Sequence, residues 1–365
     1  MSDDGRLDRE TAGGRPDRES EEGGLDREPE GDCFDREREL RAGVIGVGSM
    51  GQNHARVYRD LPGVTLEGVY DADMERAEEV AAEYHTEALK LGDLLDRIDL
   101  VSIAVPTQYH YDAARECIDA GVHVLVEKPF VDDPEDGRQL VEFARERGVV
   151  LQVGHIERFN PAVLTLMDLV DDLDIIAITA ERLGPPLDRE IDDSVVLDLM
   201  IHDVDVVLSI VGDKVTDANA VGTRDGNYAA ANLRFGNGVV AELTASRVTQ
   251  EKVRKLTISA ADSRVKVDYI DQTIEIHRRS VPEYVRDNGD VRYRHESVVE
   301  QLTVDRGEPL KKELTSFVEA VRTGSEPAVT GEDGLRALEL THRLDELALP
   351  TDPDPDENRP PLVRD

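Results

Sequence analysis

The sequence predicts an α/β protein: a doubly wound parallel sheet in the first half, then a second α/β domain with an open, mostly antiparallel sheet. Three observations predict it. A glycine-rich turn ends the first apolar run. Apolar runs and helical stretches alternate up to about residue 155. Beyond Val221, strand follows strand with short connections.

Residues 1–40 precede all of this. The triplet Asp-Arg-Glu recurs at Asp8, Asp17, Asp26 and Asp35, nine residues apart each time. Nine residues with almost no apolar content cannot bury a face, so this stretch is expected to be a disordered acidic repeat tail. At Arg41 the texture changes. The runs RAGVIGVG, VTLEGVYD, LVSIAVP (100–106), HVLVEKP (123–129) and VVLQVGH (149–155) read as buried strands. QNHARVYRDL and the amphipathic ADMERAEEVAAEYH read as helices between them, and six strands are expected by about residue 155. The domain 41–155 is thus expected to be a Rossmann-type dinucleotide-binding unit.

The second half, 156–349, opens with a long apolar stretch at 194–211, SVVLDLMIHDVDVVLSIV, expected to be one buried helix. YAAANLRF, GVVAELTAS, KLTISA, SRVKVDYI and TIEIHRR then read as neighbouring antiparallel strands. Helices return at 309–322 and 332–349, and the Pro- and acid-rich residues 350–365 are expected to form an extended tail.

Charge narrows the function. The chain has 365 residues with 79 Asp and Glu against 43 Lys and Arg, a formal net of −36. So acidic a chain repels nucleic acid and anionic membrane. Of the 43 cations 35 are arginine and 8 lysine, a balance that fits a halophilic protein working in molar salt. The N-terminus has no apolar stretch behind a basic start, and no run approaches a membrane span, so a cytoplasmic location is expected. Cys33 and Cys117 are too few and too far apart for a disulfide framework or a cysteine metal site, and no metal is expected.

Gly46-Val47-Gly48-Ser49-Met50-Gly51 fits G-x-G-x-x-G after a strand and before a helix, and Asp71 ends the next strand 20 residues on. Gly46 permits the tight turn, Gly48 lets the backbone approach a pyrophosphate, and Gly51 lets helix and strand pack closely. A carboxylate at Asp71 holds ribose hydroxyls and repels a 2′-phosphate, which favours NAD over NADP. Glu127-Lys128-Pro129 closes a later strand and puts Lys128 where such sheets bind ligands. Asp198, His202 and Asp205 fall on one face of the apolar helix. Helix context leaves two readings open: an acid/base pair with Asp198 polarising His202, or a structural Asp–His pair satisfied in the core.

GVIGVGSMGQNHARVY, VSIAVPTQYH, AGVHVLVEKP, QVGHIERFNPAV and DLMIHDVD occur in that order. Together they resemble the Gfo/Idh/MocA family of sugar and cyclitol oxidoreductases over about residues 41–349. The resemblance decides the open reading toward catalysis. It implies Lys128, Asp198 and His202 as catalytic residues, with Lys128 and Glu127 also beside the cofactor. It implies Pro106, Thr107 and His110 as the loop beside the nicotinamide, and Arg158 and Asn160 at the substrate pocket. It also implies a homodimer or homotetramer formed through the open sheet. Many members carry glycine where this chain has Met200. That variant, with GHIERFNPAV and RLGPP (182–186), resembles the family's UDP-N-acetylglucosamine 3-dehydrogenases. A sugar nucleotide is an anion, so Arg158, Arg182 and Arg189 are expected phosphate contacts. An inositol 2-dehydrogenase, a free-sugar dehydrogenase and a non-catalytic dinucleotide-sensing regulator are the alternatives.

Overall fold

The structure, a computed structural model, describes residues 39–186, 193–279, 283–287, 290–294 and 297–349. The nine-residue repeat, Arg189 and the expected C-terminal tail lie outside the described residues.

The first half alternates as its apolar pattern requires. In order come β1 (Leu40–Ile45), α1 (Ser49–Asp60), β2 (Val64–Tyr70), α2 (Met74–Tyr84) and β3 (Glu87–Ala88). Then come α3 (Leu91–Leu95), β4 (Leu100–Ile103), α4 (His110–Asp119), β5 (His123–Glu127), α5 (Pro134–Arg147) and β6 (Leu151–Gly154). The sheet order is β3-β2-β1-β4-β5-β6, and every pairing is parallel. β4 and β6 are buried along their whole length. Strands covered by helices on both faces need no polar alternation, which is why they read as continuous apolar runs. The order reverses between β1 and β4, so the crevice at the carboxyl ends of these two strands is the ligand position of the fold. The sixth strand, β3, is only two residues long and carries no apolar run of its own.

The second half begins with α6 (Pro161–Val170), started by Asn160, whose side chain accepts from the Ala162 amide. β7 (Ile175–Leu183) follows, then a π-helical turn (Val196–Met200) running into α7 (Ile201–Val211). The helix expected at 194–211 is present as one unbroken run over 195–211, with a π turn near its start. A π turn within a helix is a local widening found mostly at functional sites, and this one carries Asp198. Next come β8 (Val215–Gly222), β9 (Tyr228–Phe235), β10 (Val240–Ser246), β11 (Val253–Ala260), β12 (Ser263–Asp268) and β13 (Thr273–Arg279). β14 (Glu283–Asp287) and β15 (Asp290–Arg294) form a separate hairpin before β16 (Ser297–Leu302). The eight-stranded order is β16-β13-β12-β11-β7-β10-β9-β8; β7 runs parallel to β10 and all other pairs are antiparallel. α6, α7 and the last helix cover one face, with Val204, Val207, Leu243 and Ile258 among the fully buried residues between.

α8 (Pro309–Thr323) and α9 (Gly331–Ala348) close the chain. α8 does not join the second sheet. Its Leu314, Phe317 and Val321 pack into the apolar cluster of Val44, Val57 and Tyr58. α9 spans both halves: Leu338 joins the β4–β6 core and Leu344 the second one. A capping box at Thr330 and Asp333 starts α9, and the Val153 amide donates to the Val329 carbonyl just before it. The chain thus returns to the first sheet and ties the two halves together.

Candidate active site

The glycine turn has the form of a dinucleotide cradle. Gly46 sits at φ +85, and a Cβ there would meet Ala104 backbone at 2.8 Å. A Cβ on Gly51 would lie 1.8 Å from the Gly46 carbonyl oxygen, so α1 can approach β1 only with glycine here. Gly48, the residue before α1, is the opposite case: a Cβ there meets nothing within 4 Å. The space above it is open, no side chain caps α1, and no acidic residue stands in its first turn. The first amides of a helix left in this state bind phosphate. Ser49 and Met50 begin that turn. These residues fit a bound dinucleotide.

Asp71 sits at the end of β2 and accepts from the Val47 amide at 2.8 Å and the Asp73 amide at 2.9 Å. It therefore braces the glycine turn. A carboxylate has about four lone-pair positions, so capacity remains for ribose hydroxyls. Pro106 and Thr107 lie in the loop after β4, on the same carboxyl edge.

Lys128 leaves the end of β5 and meets the π turn. Its Nζ donates to the Asp198 carboxylate at 2.8 Å and to the Asp198 carbonyl at 2.9 Å. The other carboxylate oxygen of Asp198 accepts from Arg247 Nη2 at 2.7 Å, and Arg247 Nη1 donates to the Asp193 carbonyl at 2.8 Å. Burial pushes the Asp198 carboxyl up, but Lys128 and Arg247 outweigh burial and hold it below its usual range. His202 lies one turn on. Burial, together with the charges of Arg182 and Lys128, the neighbouring His155 and the charge of Arg254, pushes its imidazole well below its ordinary value. It is neutral near pH 7.

One expectation fails here. Asp198 does not polarise or orient His202: both its oxygens are taken by cations, and His202 Nδ1 is enclosed without a hydrogen-bond partner. Two charge-assisted hydrogen bonds outcompete one to a neutral ring.

Four other expected contacts are turned inward. His110 is buried with Nδ1 on the Pro129 carbonyl at 2.8 Å and Nε2 on the Val105 carbonyl at 2.9 Å. Neutral, it donates to one of these carbonyls and only faces the other, and both ring nitrogens are turned to backbone between the loops after β4 and β5, away from a cofactor. Glu127 is spent on His54 Nε2 at 2.8 Å and the Lys128 amide at 3.2 Å. Asn160 caps α6, and its amide nitrogen donates to Glu157 and to the Tyr269 carbonyl. Arg182 is the largest correction. It is 3% exposed, forks onto Asp203 at 2.7 and 3.0 Å, reaches Glu157 at 2.8 Å and stacks on Tyr269. Burial works against its charge, but Asp203 and Glu157 prevail. An arginine so satisfied offers nothing to a phosphate. Arg158 keeps a looser position, 3.5 Å from Asp205 and 3.3 Å from the Ala328 carbonyl.

Arg247 is the site residue that sequence reasoning missed. It follows an ordinary strand, and the packing of β10 against the π turn brings it to Asp198. Among the described residues no group of three or more His, Cys, Asp or Glu is placed to hold a metal ion, and no helix is long and apolar enough to cross a membrane.

Comparison with known proteins supplies the context for this geometry. The oxidoreductase family with an NAD-binding Rossmann fold, GFO_IDH_MocA, matches residues 40–155, and its C-terminal alpha/beta domain matches 186–345. UDP-N-acetylglucosamine 3-dehydrogenase of Acidithiobacillus ferrooxidans is 37% identical over 309 residues, covering 82% of this chain and 94% of that protein. A solved structure of that enzyme superposes with a TM-score of 0.76 and 35% identity, over 85% of this chain and 98% of the other. The scyllo-inositol 2-dehydrogenase (NAD(+)) of Bacillus subtilis is 26% identical over 334 residues, covering 83% and 92%.

Proposed function

Because the chain belongs to the Gfo/Idh/MocA family of NAD-binding oxidoreductases, we propose that it oxidises the C3 hydroxyl of UDP-N-acetylglucosamine to the ketone. The observation that carries this reading is the cluster of Lys128, Asp198 and Arg247 beside a neutral His202, at the strand edge that also bears the glycine turn. The similarity to the Acidithiobacillus enzyme supports the choice of sugar nucleotide and carbon.

Oxidation of a secondary alcohol removes a hydride from carbon and a proton from oxygen. NAD, when bound, supplies the hydride acceptor. His202, kept neutral by burial and the neighbouring cations, takes the proton on Nε2, because Nδ1 is enclosed. Lys128 has three donors, of which two are spent on Asp198. The third is free to hydrogen-bond the substrate oxygen and stabilise negative charge as the proton leaves. Asp198 fixes where Lys128 points, and Arg247 fixes Asp198. Oligomerisation through the outer face of the eight-stranded sheet, a cytoplasmic location and operation at high salt belong to the same reading. The exposed Val221 on β8 and the arginine-rich acidic composition support its first and last parts.

Incubation with NAD and UDP-N-acetylglucosamine is expected to give, by mass spectrometry, a product lighter by two hydrogens. Oxidation of myo-inositol or a free sugar without that product would replace this assignment. NAD is expected to give the higher kcat/KM of the two cofactors. Asp71→Asn keeps an acceptor for the Val47 amide but removes the charge that repels a 2′-phosphate, so it is expected to shift the NAD-to-NADP ratio of kcat/KM toward NADP by about tenfold. A wild-type preference for NADP would remove Asp71 from its role.

A further inference from the structure

Three arginines stand together at one end of the eight-stranded sheet, on the side facing the π turn. Arg182 on β7 and Arg254 on β11 are direct register partners, and Arg247 follows β10 on the other side of β7. Two of the three are neutralised where they stand: Arg182 by Asp203 and Glu157, Arg247 by Asp198. Arg254 is not. Its Nη1 donates to the carbonyls of Leu183 at 2.5 Å and Val253 at 2.7 Å. It forms no ion pair among the described residues, and its Nε and Nη2 make no hydrogen bond there.

This arrangement is costly in a chain with 79 acidic residues to choose from. Arg254 is half-buried, and burial, with the Arg182 charge next, lowers its proton affinity below the usual arginine value, although Asp203, Glu157 and Asp198 pull the other way from their own ion pairs. A partly desolvated cation beside another cation gains most from an anion. The unused Nε–Nη2 edge is the fork that matches two oxygens of a phosphate. The position also suits the chemistry: Arg254 is close enough to His202 and Asp198 to interact electrostatically with both. In a hexose nucleotide the diphosphate is attached at C1, its first phosphorus four bonds from C3, so a cation that holds it belongs at the same end of the pocket as the acid–base residues.

We propose that Arg254 anchors the diphosphate of a nucleoside diphosphate sugar and is the residue by which the site selects it over an uncharged sugar or cyclitol. This rests on the sugar-nucleotide reading above. It assigns to Arg254 the role that Arg182, locked in its own ion pairs, cannot fill.

The test is calorimetric titration of UDP into the full-length protein saturated with NAD, so that the cofactor's own phosphate sites are filled. Wild type is expected to bind UDP. Arg254→Gln, which keeps donors for the two carbonyls, is expected to weaken that binding by about tenfold or more, the loss of a charge-assisted pair. Arg254→Lys, with the charge but not the fork, should fall between. NAD binding and the melting temperature report whether each variant is folded, and if the glutamine variant is not, the lysine variant decides alone. Undiminished UDP affinity in a folded variant, or no UDP binding by wild type, overturns the proposal. Turnover of UDP-N-acetylglucosamine is scored separately. Arg254-dependent UDP binding without that turnover would sustain the anchor and sink the choice of sugar.

Discussion

Lys128→Met is expected to lower kcat by about 100-fold or more, the usual loss when a transition-state donor is removed, while NAD binding survives. In the proposed reading Lys128 offers its third N–H to the substrate oxygen, and methionine has no donor to replace it. The fold should tolerate the change, because Asp198 keeps its bond to Arg247 and is not left without a cation. His202→Ala is expected to cost as much by a different route: the proton of the hydroxyl loses its acceptor. The two variants separate in their pH profiles. His202→Ala should lose the limb that reports protonation of the base, and Lys128→Met should keep it. Near-normal turnover in Lys128→Met would remove the lysine from the chemistry and leave the Lys128–Asp198–Arg247 cluster as a structural clasp.

The glycine turn, Lys128 and His202 were legible because each is a local signal. Gly46 and Gly51 are required by backbone geometry and close packing, Gly48 leaves the space above the turn open, and the strand before them and helix after them can be read within a dozen residues. Lys128 and His202 stand in short motifs whose neighbours identify them. What could not be read was the partner of each polar group. Asp198 and His202 are four residues apart, which brings them near each other on a helix, yet the carboxylate turns to Arg247, forty-nine residues away, and to Lys128, seventy away. Burial was hidden in the same way. Arg182 in RLGPP looks like a surface cation until β7 is seen between β11 and β10, facing α7.

β7 itself was missed, although it lies near the middle of the second sheet. Its sequence IIAITAERL alternates weakly, with the polar Thr179 and Glu181 outward and Ile178, Ala180 and Arg182 inward. A strand whose inward set includes an arginine does not show the apolar period that reveals strands. α8 is the converse. Its apolar stripe predicts a packed helix correctly, but nothing local tells which sheet it packs on, and Phe317 goes back to the first.

The buried arginine that misled the sequence reading is also where the fold is most sensitive. Asp203→Ala is expected to destabilise the protein by about 3–5 kcal/mol, the cost of leaving one half of a buried ion pair unmatched. Arg182 and Asp203 are 3% and 2% exposed, so water cannot take over the lost partner. Glu157 makes only one of the contacts Arg182 needs, and Tyr269 offers the face of a ring, not an acceptor. Urea denaturation would measure the loss. The double variant Arg182→Met with Asp203→Leu should be less damaged than either single change, since it removes both charges and keeps the volume. Asp203 adjoins His202 in the chain, so the single variant should also lose turnover as α7 shifts. A loss below about 1 kcal/mol, the worth of an exposed pair, would mean that Arg182 reaches solvent in the working enzyme. It would then compete with Arg254 for the diphosphate, and the two arginines would have to be separated by their UDP affinities.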